Sequence, residues 1–450
     1  MGLRHHSGVG SPPAAACATT AGCSGSATRR SPSSGDESAS TNGRSTATAR
    51  QSNPGPRLAE DAGAVTITGP AYGPDDRHPG RRYPVCGRSN PAVWQPPGGN
   101  RGGDMDVMRE ATGTYAAAGT RIAGTGGHLP GRPVGNDEVV RLLPDGVTDA
   151  GWISEHTGIE QRHWAGPGEA TSDLAAAAGR LALDAAGIAP EALDHILLCS
   201  TTADWTSPAA ASRVQHLLGA ACPAEDKQVA CASWLFGLDH GARLCATGAR
   251  AVLVVGADVK SRFVSDEDHR LRPVMADGAG AVVLVPRPAG DDGAGLRTVH
   301  LYSDGSRARN IFTPAGGSAV PASEESVRDG LHYVRMAVPG GTIKADAIAI
   351  MSDGVRRVLA DTGWALDDVD VFIGHQANLA ILRGLADELE VGMERFPVTI
   401  DRTGNTVAAT LPFTLDHAVR TGLVRPGHRV VFTTAGAGYA GGAAAYRVPT

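Results

Sequence analysis

Gln228-Val229-Ala230-Cys231-Ala232-Ser233-Trp234-Leu235-Phe236-Gly237-Leu238-Asp239-His240 is the stretch on which the reading of this 450-residue chain turns. It reads as the end of a buried strand, a tight step, and a helix starting at Cys231. Leu235, Leu238, Ala242 and Cys245 recur at helical spacing and give that helix one apolar face. Gly248 supplies its stop. A cysteine at a helix N-terminus meets free N–H groups and the positive end of the helix dipole. That setting favours thiolate, the nucleophilic form. A lone cysteine is better read as a small buried hydrophobe, so the nucleophile reading rests on its partners.

Working outward, the chain alternates strands and helices from Tyr115 onward, the pattern of an α/β layer fold. Tyr115–Gly124 reads as a strand, and Asn136–Leu143 as a short helix with Asn136 as N-cap. Thr171-Ser172-Asp173 opens an amphipathic helix that Gly187 and Pro190 end. Asp194–Ser200 and Ala251–Gly256 are short apolar runs of the kind found in buried parallel strands. Asp277-Gly278-Ala279-Gly280-Ala281 reads as a glycine turn entering another strand. The second half repeats the plan: strand at Asp370–Gly374, helix opening at Asn405 and running to Arg420, strand at Arg429–Thr434. The Asp194 and Asp370 strands, the Cys231 and Asn405 helices, and the Ala251 and Arg429 strands align in order. The expected fold is two duplicated βαβαβ halves, 114–290 and 291–450, with both special helix starts meeting at one site.

Residues 1–113 are dense in Ser, Thr, Gly, Pro and Arg and lack apolar periodicity. Such a segment cannot bury enough surface to offset its ordering entropy, so it is expected to be a disordered extension. A start codon assigned too far upstream would produce the same pattern, with Met105 or Met108 as the true start. The net charge of −6 gives no basic character for nucleic acid. No apolar run is long enough for a membrane span, and the N-terminus lacks the apolar stretch of a secretory signal. The seven cysteines show no metal-type CxxC spacing and are expected to be reduced in a cytoplasmic enzyme without metal.

Two further elements converge on Cys231. His375, in Gly374-His375-Gln376-Ala377-Asn378, follows a buried strand directly, where α/β folds place functional groups. Asn405, in Thr403-Gly404-Asn405-Thr406, stands before a helix. Each alone is weak; with the duplication they form a Cys-His-Asn site. At these residues the chain resembles the β-ketoacyl-acyl carrier protein synthase III family, within the thiolase-like superfamily. The resemblance runs from about Tyr115 to the C-terminus. It is carried by Trp152-Ile153, Thr157-Gly158-Ile159, Arg162, Thr171-Ser172-Asp173-Leu174-Ala175, Cys231 and Asp277-Gly278-Ala279-Gly280-Ala281. The His375-Gln376-Ala377-Asn378 block, Gly404-Asn405-Thr406 and Gly436-Ala437-Gly438 complete it.

The resemblance implies a five-layer αβαβα thiolase-like fold and a decarboxylative Claisen condensation. Cys231 would hold the acyl group, with the backbone N–H groups of Cys231 and Ala437 as oxyanion hole. His375 and Asn405 would hold the malonyl thioester oxygen. It further implies an acyl carrier protein as partner, a homodimer paired through Ala251–Gly256 or its neighbour, and no cofactor. Candidate substrate-binding positions are Trp152, His156, Ser207, Arg270 and Asn378. Two of the Arg residues expected at the nucleotide end of the tunnel are replaced, by His156 and Ala380, which points to a carrier-bound rather than CoA-bound acyl donor; Arg270 and Arg383 could restore CoA binding. Ser207 stands where a bulky residue often reaches across the dimer, and Ser233 stands where Gly is usual after the nucleophile. These departures suggest a secondary-metabolism paralogue. The competing reading is an acyltransferase that passes the Cys-bound acyl group to an alcohol or amine without decarboxylation. In that branch the Asn405 position tends to be acidic.

Overall fold

The computed structural model describes residues 119–288 and 293–450. The expected disordered extension, 1–113, and the predicted boundary at 290 lie outside the described residues. The first strand, β1 (Thr120–His128), runs past the expected end at Gly124, and residues 115–118 of the expected strand lie outside the described residues. A ribbon of β2 (Pro133–Gly135) and β3 (Gln161–His163) follows, holding the short helices α1 (Asn136–Val140) and α2 (Ala150–Thr157) between its strands. Asn136 is not the cap of α1; Gly135 takes that place. The Asn136 amide instead donates to the Ile159 carbonyl (2.8 Å) and Ser154 Oγ (2.9 Å), so a buried group fastens α1 to the end of α2.

The first half continues with α3 (Thr171–Ala186), β4 (His195–Cys199), α4 (Ala211–Leu218), β5 (Ala224–Lys227), α5 (Ser233–Ala246), β6 (Val252–Val259) and β7 (Asp277–Pro286). The second comprises β8 (Gly295–Ser303), a ribbon of β9 (Ile311–Phe312) and β10 (Arg335–Met336) around α6 (Glu324–Arg328), then α7 (Gly340–Thr362), β11 (Val371–Gly374), α8 (Leu379–Leu389), α9 (Ile400–Thr403), α10 (Thr410–Arg420), β12 (Arg429–Gly436) and β13 (Ala440–Arg447). One sheet has the order β1-β7-β6-β4-β5, the other β11-β12-β13-β8. In the first, β4 runs parallel to β6, and β6-β7-β1 are antiparallel neighbours. In the second, β11 runs parallel to β12, and β12-β13-β8 are antiparallel. Strand for strand, β4, β6, β7 and β1 correspond to β11, β12, β13 and β8, so the duplication extends to sheet order and direction.

Period-two alternation distributes the apolar residues of each sheet between two cores. Leu253, Val255, Ala281 and Val283 face outward onto Leu174, Ala178 and Ala182 of α3. Val252, Val254 and Val282 face inward onto Leu235 and Leu238 of α5 and Leu411 and Leu415 of α10. Val430 and Phe432 of the second sheet close the same central layer. Phe372, Val431 and Ala443 pack outward against Met351, Val355 and Leu382 of α7 and α8. The result is the five-layer αβαβα stack. Each fully buried large aliphatic side chain contributes about 1.5–3 kcal/mol, and the central layer is apolar on both sides.

Two expectations are corrected here. Asp277-Gly278-Ala279-Gly280-Ala281 is not a turn but the start of β7 itself. Its glycine is needed for approach rather than for bending: a Cβ on Gly280 would lie 2.3 Å from the Phe413 amide nitrogen of α10. Gly256 of β6 plays the same part, with a Cβ falling 2.2 Å from the Ala408 carbonyl oxygen. Secondly, β6 and its neighbour β4 are each paired on both sides and cannot form an intermolecular strand pair; among the described strands of this sheet β1 and β5 are the edges. No helix among the described residues is long and apolar enough to cross a membrane. Replacing Gly256 by Val should force the central layer from the sheet. We expect a loss of about 1–3 kcal/mol, read as a lower denaturant midpoint, as overpacking of a tight core does.

Candidate active site

After β5 the backbone makes a single bridge between Val229 and Cys231, with Ala230 held at φ 47° between them. A non-glycine residue in that left-handed region costs about 1 kcal/mol or more. Ser233 holds the turn in place: its buried hydroxyl accepts from the Val229 N–H (2.7 Å) and donates to the Ala230 carbonyl (2.7 Å). Helix α5 therefore starts at Ser233, not at Cys231. Trp234, one residue on, leaves the site altogether. It is fully buried in the central layer, edge-on to Phe432 with ring centroids 5.6 Å apart.

Cys231 is held from the second half as well. Thr434 Oγ1 donates to its carbonyl (3.3 Å), and Gly436 lies so close that a Cβ there would sit 2.8 Å from the Cys231 nitrogen. The backbone N–H groups of Cys231 and Ala437 both reach the Cys231 sulfur. These donors and the Lys260 ammonium favour thiolate, but burial and the Asp258 carboxylate outweigh them and push the thiol up to about 12. The expectation of a resting thiolate is thus corrected: the sulfur precedes the helix by two residues, and desolvation exceeds what two N–H groups return.

His375 follows β11, its N–H donating to the Thr433 carbonyl (2.9 Å). The side chain is buried, and among the described residues neither ring nitrogen has a hydrogen-bond partner. Burial alone lowers its pKa to about 4, so the ring is neutral near pH 7. Gln376 braces this segment: its carbonyl oxygen accepts from the Thr399 and Ile400 N–H groups (2.9 and 3.0 Å), and its amide donates to the Pro397 carbonyl (2.8 Å).

Asn405 does not open α10 directly. A single 3₁₀ turn, Val407–Ala409, comes between them, with Val407 at φ 54°. Asn405 Oδ1 accepts from the Val407 N–H (2.9 Å), its backbone pairs with Val274 and Ala276, and its amide nitrogen finds only Met275 Sδ at 3.7 Å. The side-chain donor is therefore oriented yet unspent. Arg162 supports this segment from below: fully buried, it donates to the Pro273 carbonyl (2.6 Å) and the Val134 carbonyl (3.2 Å).

A cavity of about 840 Å³ joins these groups, with Cys231, His375, Asn405 and Ala437 all on its wall. His156, Arg270 and Asn378 line it too. Asn378 caps α8 through the Ala380 N–H (2.8 Å) and donates to the His156 carbonyl (3.0 Å), tying α8 to α2. Trp152 and Ser207 are not on the cavity wall; both are exposed in the single chain. Trp152 stacks on the His156 ring, centroids 4.3 Å apart and planes 13° apart. Sequence reasoning passed over Lys260 and Asp258. The available signal was a pair of charges at the end of the otherwise apolar run from Val252 to Val259. Among the described residues no cluster of three His, Cys, Asp or Glu could hold a metal ion.

A cysteine between two duplicated halves, sharing one cavity with a neutral histidine and an asparagine, is an arrangement suited to a thiolase-like acyl-transferring enzyme. Residues 226–305 match the family described as 3-oxoacyl-[acyl-carrier-protein (ACP)] synthase III, and residues 359–448 match its C-terminal part. The chain is 38% identical over 328 residues to the β-ketoacyl-[acyl-carrier-protein] synthase III of Erythrobacter litoralis, covering 72% of this chain and 98% of that one. It is 40% identical over 326 residues to the acetoacetyl CoA synthase of Streptomyces sp. (strain CL190), covering 72% of this chain and 96% of the relative. The crystal structure of 3-oxoacyl-(acyl carrier protein) synthase III from Pseudomonas aeruginosa PAO1 superposes with a TM-score of 0.66 at 36% identity, over 74% of this chain and 99% of that one. This chain belongs to the β-ketoacyl-[acyl-carrier-protein] synthase III family. It is an acyltransferase of the ketosynthase type, and its reaction is a decarboxylative condensation.

The neutrality of His375 has a measurable cost. Its pKa lies at about 4 in the fold against an ordinary 6.5, so the unfolded chain takes up the proton first as pH falls. Stability is full above about pH 6.5 and is lost as pH falls toward about 4, by up to roughly 3 kcal/mol. Urea unfolding of wild type and His375→Asn at pH 7 and pH 4.5 should show the wild type losing the larger share.

Proposed function

We propose that Cys231 accepts an acyl group from an acyl carrier protein and condenses it with malonyl carried by a second acyl carrier protein. The sulfur attacks the thioester carbonyl, the carrier thiolate departs with the bonding pair, and it takes up the proton Cys231 gives up. The tetrahedral oxyanion lies against the N–H groups of Cys231 and Ala437. His375, neutral and protonated on Nε2, and Asn405 then donate to the thioester oxygen of the malonyl group. The C–C bond to the carboxylate breaks, CO2 leaves, and its electron pair becomes the enolate that these two donors stabilise. The enolate carbon attacks the acyl-Cys231 carbonyl, and the Cys231 thiolate leaves with the bonding pair and takes a proton from water. The observation that carries this reading is the arrangement of unspent donors. Among the described residues both His375 ring nitrogens and the Asn405 amide nitrogen lack an oxygen or nitrogen partner, on the wall of the cavity that holds Cys231. The thiol pushed up to about 12 fits a nucleophile that ionises as substrate enters rather than at rest.

Two features favour carrier-bound over CoA-bound donors. One face of the Trp152 indole is covered by the His156 ring, and Ala380 brings no charge to the cavity wall. Arg270 also lines the cavity, but it lies 3.8 Å from Asp268 and 3.5 Å from the Met336 carbonyl. The relative named acetoacetyl CoA synthase makes CoA thioesters a necessary comparison. The pathway is the initiation of a fatty acid or polyketide-type natural product in the cytoplasm, with no cofactor besides the thioester substrates. The exposed, small Ser207 leaves room for a longer or branched acyl chain. The assembly is a homodimer, for which β5, an unpaired edge of the first sheet and close in sequence to Cys231, offers strand pairing.

Intact-protein mass after incubation with acyl-carrier and acyl-CoA panels tests the first step. An adduct on wild type and none on Cys231→Ala is expected; an equal adduct on both would reject Cys231. His375→Ala and Asn405→Ala should still acylate but form β-ketoacyl product roughly 100- to 1,000-fold more slowly, the loss seen on removing one preorganised donor. Sedimentation equilibrium should give twice the chain mass. A monomer carrying full activity would exclude the dimer.

A further inference from the structure

Lysine is scarce in this chain: Lys227, Lys260 and Lys344 are the only three among 41 Lys and Arg residues. Two of them, Lys260 and Lys344, line the cavity at Cys231. Lys344 is exposed, but Lys260 sits at the end of β6 with 9% of its surface accessible. Its ammonium donates one hydrogen bond, to Thr201 Oγ1 (3.3 Å). Among the described residues it has no ion pair within 4.0 Å. The neighbouring carboxylate, Asp258, is already engaged. Its Oδ1 accepts from Ser200, from Thr202 and twice from Thr201, and its Oδ2 accepts from the Ala408 N–H. The Phe263 ring lies 5.9 Å from the ammonium but accepts no N–H of it in a hydrogen bond, so on the cavity wall two Lys260 N–H groups have no hydrogen-bond acceptor among the described residues. Burial disfavours the ammonium, while Asp258 and Cys231 favour it, so Lys260 and the nucleophile act on each other's charge at one end of the cavity. The remaining wall is largely apolar, with Leu271, Val274, Ile311, Phe312 and Val334 among it. A pocket for a plain hydrocarbon chain has no use for an ammonium with spare N–H groups, because a buried donor left without an acceptor is costly.

We propose that Lys260 selects an acyl group ending in a carboxylate, so that the preferred donor is the half-thioester of a dicarboxylic acid. This rests on the acyl-Cys231 reading above. The methylenes lie along the apolar wall and the terminal carboxylate accepts from the two Lys260 N–H groups that Thr201 leaves free. An ammonium, a compact point donor, suits the end of a narrow pocket better than the wide guanidinium fork that this chain uses elsewhere. The distal carboxylate is unchanged through acylation; only the bond from the acyl carbon to the carrier sulfur breaks, and only the bond to Cys231 forms.

Matched pairs of donors test this with the full chain: glutaryl against pentanoyl, and adipoyl against hexanoyl, each offered on CoA and on acyl carrier protein. The rate of Cys231 adduct formation is followed by intact mass. Wild type should acylate faster with the acid-ended member by roughly 10- to 100-fold, the range of a charge-assisted hydrogen bond. Lys260→Met should bring the ratio to one or below, and Lys260→Gln should give an intermediate ratio. The proposal is overturned if the neutral member matches or outpaces the acid in wild type, a result that needs no variant to fold. It is equally overturned if both substitutions slow the two members alike, which would make Lys260 an activator of the thiol alone. Brisk acylation by neutral donors only would sink this proposal and leave the condensing reaction standing. No adduct from any donor would overturn the acyl-Cys231 reading and this proposal together.

Discussion

Asp258 is the joint between the two halves of the site. From the end of β6 it accepts hydrogen bonds from Ser200, Thr201 and Thr202, which follow β4, and from the Ala408 N–H, which belongs to the turn after Asn405. Residues 150 positions apart are thereby fixed to one carboxylate. Burial of a carboxylate is expensive and raises its pKa; the Lys260 ammonium and then the hydroxyl and N–H donors oppose that shift without cancelling it. The placement of Asn405 relative to Cys231 depends on this joint. It also leaves a negative charge near the nucleophile, one cause of the high thiol pKa.

Close approach is the second condition. The central helices come so near the first sheet that only glycine fits at Gly256 and Gly280, and so near Cys231 that only glycine fits at Gly436. Strain is concentrated where the chain has no such freedom. Ala230 and Val407 both take left-handed backbone, one just before Cys231 and the other two residues after Asn405. Corresponding places in the two copies thus carry corresponding strain, and in both a side chain on the same turn, Ser233 or Asn405, supplies the hydrogen bond that holds it.

Much of this was legible in the residues themselves. The apolar runs at Ile196–Cys199, Val252–Val255 and Val430–Phe432 could only be buried strands, and their order exposed the duplication. The Cys-His-Asn set was legible because each member stands at the boundary of such a strand or of a helix. What was not legible depended on distances across the sequence. Asp277-Gly278-Ala279-Gly280 has the composition of a turn, and only the backbone of α10 lying against it explains strand glycines there. Asn136 has the residue type of a cap but is claimed by Ile159 and Ser154. The ionisation of Cys231 follows from the balance of burial, Asp258 and Lys260 around the sulfur, which no local pattern records. Lys260 was visible only as one of three lysines, because nothing in its neighbours in sequence says that Thr201 accepts one hydrogen bond from it and that the ammonium lines the cavity.

The desolvated thiol also bears on chemical durability. Peroxides and electrophiles attack the thiolate, and a sulfur pushed up to about 12 offers very little of it at rest. Cys199, Cys222 and Cys245 are likewise raised by burial, so the described cysteines share that resistance. An enzyme that kept a permanent thiolate would be open to oxidation between turnovers. Here burial that raises the Cys231 pKa leaves less thiolate for such reagents between turnovers, although the sulfur still faces the cavity.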